Sequence, residues 1–219
     1  MLSDQSLQRL VNSFAEQRLP DYLVVATLFN ELKATKRAAL QLFLCSRNAR
    51  AISIRSGDWG RSFSGVTSFI DESAGQMVAL AEQIGDLAKG MTNESVSVLQ
   101  EQQLAEKLGQ IAKDKLDGST TLMQLRCHTK QVTEHFHEKH DEDIHKLKRL
   151  LDEIKSCNRF LNAIVSTCKT EASRAGPFQE ALLSIAESMN SAVGDLEDQI
   201  KMGDKLMTLL SSHERRAIY

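Results

Sequence analysis

Apolar residues recur along this chain at helical spacing almost from end to end. Residues 3–17 suit a short amphipathic helix with Ser3 or Asp4 as its N-cap. Pro20 interrupts that helix and can open the next one. No Gly or Pro then appears until Gly57 and Gly60, so a second helix is expected to run to Ser56. The clearest periodicity follows. Phe63, Ile70, Met77, Ile84, Met91 and Val98 stand seven residues apart, and Val66, Leu80 and Leu87, with Ser73 as a small exception, supply a second seam. A heptad sustained that far argues a long bundle or coiled-coil helix. Leu104, Leu108 and Ile111 are expected to continue it after a register shift, until the turn signal KDKLDGST at 113–120.

A third helix is expected from about Thr120 to Ala175, striped by Leu122, Leu125, Val132, Phe136, Ile144, Leu147, Leu150, Ile154, Leu161, Ile164 and Cys168. Gly176 and Pro177 end it, because proline disfavours helix before it. The last helix carries Phe178, Leu182, Ile185, Met189, Val193, Leu196, Ile200 and Leu206, and SSHERRAIY reads as a frayed tail. Short connections make sequential helices antiparallel. The turns near 58 and 176 then share one end of a rod, and the turn near 117 lies at the other.

The chain also repeats itself. LFNELKATKR at 28–37 resembles LLDEIKSCNR at 150–159, IRSG at 54–57 parallels SRAG at 173–176, and Phe63 parallels Phe178. The interval drifts from 122 to 119 to 115 residues, as if the second hairpin had lost about one helical turn from each side. Neither hairpin can bury its apolar face alone. The expected fold is all-α: an elongated antiparallel four-helix bundle, coiled-coil-like, of two repeated helical hairpins plus the short N-terminal helix. Residues 1–219 form one domain, with repeat 1 at about 20–112 and repeat 2 at about 120–212.

Composition fits long elements and few turns: 219 residues hold 11 Gly and 2 Pro, and only 5% are aromatic. A net charge of −2 argues against nucleic acid as a partner. No run of 18 apolar residues predicts membrane insertion, and MLSDQSLQRLVNSF lacks the features of a signal peptide. Cys45, Cys127, Cys157 and Cys168 show no CxxC pair, so free thiols in a reducing cytoplasm are expected.

Candidate chemistry concentrates in two places. At the first turn, Trp59 sits between glycines, with Arg47, Arg50, Arg55 and Arg61 clustered round it and Asp58 opposing them. An exposed Trp offers large contact area at low rotamer cost, although it can also fold back on its own helices. Arg47 and Arg50 suit an acidic partner surface, whereas Arg55 and Arg61 suit holding the turn. The second place is CHTKQVTEHFHEKHDEDIH, where His137, Asp141 and His145 line one helix face. Those three are weak metal candidates, since a bundle metal site draws ligands from facing helices and the other helices offer no matching Glu-x-x-His. His140 falls on the apolar seam and suits a register device. No cofactor is expected, and with no converging catalytic set or phosphate-binding motif neither is an enzyme.

SRNARAISIRSGDWGRSFSGVTSFIDESA at 46–74 resembles the cytoplasmic signalling hairpin of bacterial methyl-accepting chemotaxis receptors. Asn48, Ala49, Arg55, Gly57, Gly60, Arg61, Phe63, Val66 and Glu72 stand where that family's tip carries the same residues, and Asp58 replaces its Glu. EASRAGPF at 171–178 is a degenerate second copy. Ile52 stands in place of a family Glu used in tip contacts, and Ser62 in place of a glycine. The expected partner-binding tip comprises Arg47, Asn48, Arg50, Arg55, Asp58, Trp59 and Arg61, of which Arg47 and Arg50 depart from the family pattern and Trp59 is argued from its exposed turn, with Gly57, Gly60, Gly176 and Pro177 as hairpin turns. The resemblance implies a chemotaxis coupling protein, a histidine kinase or receptor tips as partners. The expectation is a cytoplasmic signalling or adaptor protein, monomeric or homodimeric. The competing expectation is a cytosolic metal- or redox-sensing bundle that uses residues 128–145.

Overall fold

The computed structural model describes residues 21–115 and 119–217, with side chains described for 23–110, 123–124 and 127–210. The expected helix at 3–17 and the expected turn near 117 lie outside these described residues, and so do the side chains of Ile111, Leu122 and Leu125 of the expected stripes. Four long helices account for nearly all of the rest: α1 (Asp21–Arg55), α2 (Arg61–Lys115), α3 (Ser119–Ala172) and α4 (Gln179–Ala217). Single 3₁₀ turns at Gly57–Gly60 and Gly176–Phe178 join α1 to α2 and α3 to α4. There is no strand among the described residues. The third helix stops three residues short of Ala175, and α4 runs on to Ala217 where a frayed tail was expected from Ser211.

Each helix packs on its neighbours in sequence, and α4 closes the ring on α1. The two hairpins therefore form one antiparallel four-helix bundle around a common core. At about 1.5 Å per residue the 55 residues of α2 extend about 83 Å. Both hairpin turns lie at the same end, where the Trp59 ring rests on Gly176: a Cβ there would stand 3.0 Å from Trp59 Cε3.

Large residues of the first predicted seam hold the centre. Phe63, Ile70, Met77, Ile84 and Met91 are fully buried. The second seam is displaced by one position from the expected Val66, Leu80 and Leu87, which are only half-buried on the flank towards α3. Its members are Thr67, Ala74, Ala81, Ala88 and Ser95, whose small side chains let neighbouring backbones approach. Past Met91 the seam continues in phase through Val98, Gln102, Ala105 and Gly109, all half-buried, while Leu104 and Leu108 point outward. No register shift occurs. On α3 the buried positions include Leu151 and Val165 rather than the half-buried Leu150 and Ile164.

Burial repeats between the hairpins at one constant interval of 119 residues. Leu28, Leu32, Leu42, Ala49 and Gly57 of the first correspond to Leu147, Leu151, Leu161, Cys168 and Gly176 of the second. Beyond the turn, Phe63, Ile70, Met77, Ala81 and Met91 correspond to Leu182, Met189, Leu196, Ile200 and Leu210. The drifting intervals in the sequence are thereby corrected: no turn of helix is missing, and Phe63 matches Leu182 rather than the half-buried Phe178. Intervals of 122 and 115 differ from 119 by three and four residues, the two slips that move one seam of a heptad onto the other.

Equivalent positions share a layer, and their sizes complement one another. Ala74 corresponds to Val193, Ala81 to Ile200, Ala88 to Met207, and Ile84 to Gly203. A second copy of either hairpin would place small on small or large on large in these layers. Ala81→Ile alone should cost about 1–3 kcal/mol through overpacking, and Ile200→Ala about 2–5 kcal/mol through the cavity. The double exchange should cost less than the sum by roughly 0.5 kcal/mol or more in urea unfolding; strict additivity would show that these side chains do not share a layer.

Candidate functional site at the hairpin tips

The end of the bundle is shaped by its glycines. Gly57 and Gly176 adopt φ of +61° and +54°, the left-handed conformation that side chains with a Cβ resist. Gly60 is buried where α1 and α2 part, and a Cβ on it would stand 2.5 Å from the Ser53 carbonyl oxygen. Backbone cannot yield there as a side chain could, so only glycine lets the helices turn so tightly. The Ser56 N–H donates to the Ile52 carbonyl at 2.9 Å, and the Ser56 hydroxyl donates to the Ser53 carbonyl at 2.9 Å. The second turn is secured by the Ala175 N–H on the Ala172 carbonyl and the Phe178 N–H on the Ala175 carbonyl, both 3.1 Å, and Pro177 opens its 3₁₀ turn.

One face of the Trp59 ring covers Gly176 of the other turn, and 59% of the residue stays exposed. The ring thus joins the two tips while leaving a broad apolar face outward. Arg61 pairs with Asp58 across the first turn at 3.0 Å, with both side chains in solvent. Arg174 approaches Glu171 at 3.5 Å beside the second turn. Arg47 lies over the Phe43 ring and reaches Asp71 of α2 at 3.7 Å, where Asp71 also accepts from the Ser46 hydroxyl at 2.9 Å. Asn48, Arg50 and Arg55 are exposed, and among the described residues neither Arg50 nor Arg55 has an ion-pair partner. So Arg61 pairs with Asp58 beside the turn, Arg55 makes no such pair among the described residues, and Arg47 is partly committed to its own bundle. Ile52 is half-buried against the core.

Several apolar residues near this end escaped the sequence reading. Leu40, Leu44, Ala51 and Ile54 are exposed, and with Arg37 and Arg47 they form an outer stripe on α1 at alternating three- and four-residue steps. On the neighbouring helices Phe69 and Phe160 stand half-exposed on either side of a groove between α2 and α3, with Glu72, Asp152 and Glu153 on its rim. The available signal was an apolar residue at helical spacing but out of phase with the core seam.

The His-rich segment lies far from the tips, on α3. His137, Asp141 and His145 are all exposed; the His145 ring nitrogen Nδ1 bonds the Asp141 carbonyl at 2.8 Å, which draws it along its own helix. Among the described residues no three His, Cys, Asp or Glu side chains converge on a common point. His140 is buried and stacks on Phe136 at 5.3 Å, within the seam. Burial pushes up the thiol pKa values of Cys45 and Cys157, and burial assisted by the Glu171 carboxylate pushes Cys168 up to about 12. The Cys157 thiol donates to the Ser73 carbonyl at 3.2 Å. A thiol held protonated is a poor nucleophile, so none of these three suits rapid redox sensing.

Ion pairs tie sequential helices along the rod: Lys36 to Glu82 at 2.6 Å, Lys139 to Glu94, and Lys155 to Asp204. Burial would lower the Lys155 pKa, but hydrogen bonds to Asp204 and Asp152 overcome it and raise the value. Water screens pairs as exposed as these, so they align helices more than they hold them. Among the described residues no helix is long and apolar enough to cross a membrane.

Compared with protein-family models, curated proteins and solved structures, the chain matches none.

Alkylation with iodoacetamide at pH 8, followed by mass spectrometry, should modify the exposed Cys127 in the folded protein and leave Cys168 unmodified until denaturant is added. Equal labelling of the two in the native state would contradict the burial described for α3.

Proposed function

We propose that this chain is a chemoreceptor-like signalling or adaptor bundle, resident in the cytoplasm, that acts by binding rather than by catalysis. Its tip is the contact surface, and its partners are a chemotaxis coupling protein, a histidine kinase or receptor tips. The observation that carries the reading is the end of the bundle itself, where Trp59 is 59% exposed and the last two turns of α1 carry the exposed Arg50 and Arg55. An exposed Trp and exposed arginines at one end of a bundle have the residue composition of an interface hot spot. The resemblance of residues 46–74 to receptor tips points to the class of partner. The outer stripe of α1 widens the surface with Leu40, Leu44 and Ile54.

The metal- or redox-sensing alternative has less support. His137 and His145 face solvent on one helix, and burial raises the pKa of three of the four thiols. The tip has a second feature in favour of an adaptor: because both turns belong to one chain and touch through Trp59, its geometry is set without a partner subunit.

Purified coupling protein and kinase should be retained by the immobilised full-length chain. Trp59→Ala should weaken retention about tenfold or more, and Arg55→Ala several-fold, in line with hot-spot losses of roughly 1–2 kcal/mol. Raising the salt concentration should slow association. Retention indifferent to both substitutions, in variants whose circular dichroism is unchanged, would remove the tip from the binding surface; no retention of either protein would remove the proposed partners.

A further inference from the structure

Charge is divided between the two helices of the first hairpin. From Leu32 to Gly57, on α1 and into the turn, the chain holds six cations and no acid. From Ser62 to Ala88, on α2, it holds four acids and no cation. Lys36 pairs with Glu82 and Arg47 with Asp71 within the chain, and these contacts mark which levels of the two helices lie side by side.

Each of these helices also carries a seam on its outer face. On α1 it is the stripe from Arg37 to Ile54, in which Leu44 and Ile54 are 62% and 71% exposed. On α2 the exposed Gly65, Ser68, Glu72, Gly75, Ala79 and Glu82 follow the same alternating three- and four-residue steps. That spacing is the one at which helices pack knobs into holes. Both seams open on one face of the bundle, since Arg47 of the first and Glu82 of the second each reach across the flank where α1 meets α2. Where the α1 seam is bulky and basic, the α2 seam is small and acidic. Gly65 and Gly75 stand in open space: among the described residues nothing lies within 4 Å of where their Cβ atoms would be. Glycine weakens a helix relative to alanine, and the described packing makes no use of the room it leaves.

We infer that a second copy of this chain docks on this face, with the two rods side by side and their tips at the same end. A two-fold axis along the rod sets α1 of each copy antiparallel against α2 of the other and leaves every residue at its own level. One position outside the levels marked by Lys36 with Glu82 and Arg47 with Asp71, Arg37 meets the second copy's Glu82, and Arg47 meets its Glu72. In the same register Leu44 meets Gly75, Ile54 meets Gly65 and Leu40 meets Ala79. Bulky side chains thus fall on glycine or alanine, and guanidinium groups on carboxylates. With the tips opposed, a two-fold would instead lay α1 on α1, cation against cation. An anionic membrane would suit α1 but would meet the acids of α2, and so would an acidic helix from another protein. A cover for both helices must be acidic where this face is basic and basic where it is acidic, which a second copy is. The seams supply fewer residues than the roughly 20–30 a side of a standard interface, so single chains and dimers should exchange in the micromolar range. The seams end at Ile54 and Gly65, short of Trp59. A copy and another partner seated on the α1 stripe exclude each other, while Trp59 stays open in both states. The inference does not rest on the proposed function.

Sedimentation of the full-length chain should show its mass rising from one chain to two through the micromolar range, and added salt should weaken the dimer. Gly75→Leu fills the space that receives Leu44, so it should weaken association about tenfold or more. The melting temperature of the dilute, single chain should not fall with it, because leucine is the better helix former. Leu44→Asp should weaken association comparably, since it buries a carboxylate beside Glu72. In a Cys127→Ser background, chains carrying Leu44→Cys mixed with chains carrying Gly75→Cys should form on mild oxidation a disulfide between the two chains, identified by mass spectrometry; neither variant alone should. Three results overturn the inference: a chain that stays single at every concentration, whether or not it binds anionic vesicles or an acidic helical peptide; a dimer that neither Gly75→Leu nor Leu44→Asp weakens; or no disulfide between mixed chains that do dimerise. Mass is read with no other protein present, so these outcomes are separate from any failure of the proposed partners.

Discussion

The bundle depends on one constraint: neither hairpin owns enough apolar surface to be covered by itself. Each contributes two seams of alternating three- and four-residue steps, and those seams are buried only when the hairpins face each other. Fully burying a Leu, Ile, Met or Phe side chain contributes roughly 1.5–3 kcal/mol. A dozen such side chains from Leu28 to Met189 share this core, so it outweighs the exposed ion pairs along the rod. Because the seams match at an interval of 119 residues, the two turns arrive at one end in register, and Trp59 meets Gly176. The tip follows from the core and needs no interaction of its own to align it.

Size complementarity gives this core a direction. In several layers the first hairpin is small where the second is large, as with Ala81 and Ile200 or Ala88 and Met207, and at Ile84 and Gly203 the order is reversed. A symmetric pair of hairpins could exchange partners between chains. An asymmetric pair favours closing on itself, which suits a protein that presents a single fixed tip. The small buried polar residues Ser46, Ser53, Ser56 and Thr67 gather towards that tip, where bulky side chains would hold the turning helices apart.

Much of this was legible in the sequence because the first seam is written in large residues. Phe63, Ile70, Met77, Ile84 and Met91 declare a heptad that nothing but a long helix explains, and Gly57 and Gly176 mark its reversals. The second seam was misplaced because Ala74, Ala81 and Ala88 have too little hydrophobicity to compete with Val66, Leu80 and Leu87 one position away. The repeat was found but mis-spaced, since heptad sequences resemble themselves when slipped by three or four residues. At the tip, exposure of Trp59 and Arg50 followed from their place by a turn. The contact of Trp59 with the second hairpin did not, because it depends on how two distant turns align. Leu44, Ile54, Phe69 and Phe160 were overlooked for a related reason: hydropathy finds apolar residues but does not say which face of a bundle they occupy.

The most direct test is the length of the molecule in solution. Small-angle X-ray scattering from the full chain should give a maximum dimension of about 85 Å, set by the rise of α2 and α3, and a radius of gyration near 25 Å, the value for a thin rod of that length. A compact fold of this chain length would give a radius near 17 Å, and two hairpins extended end to end would give a maximum dimension roughly twice that of the rod. A value near 85 Å with a narrow cross-section is the result predicted by two hairpins packed side by side with their turns together; either of the other two contradicts it.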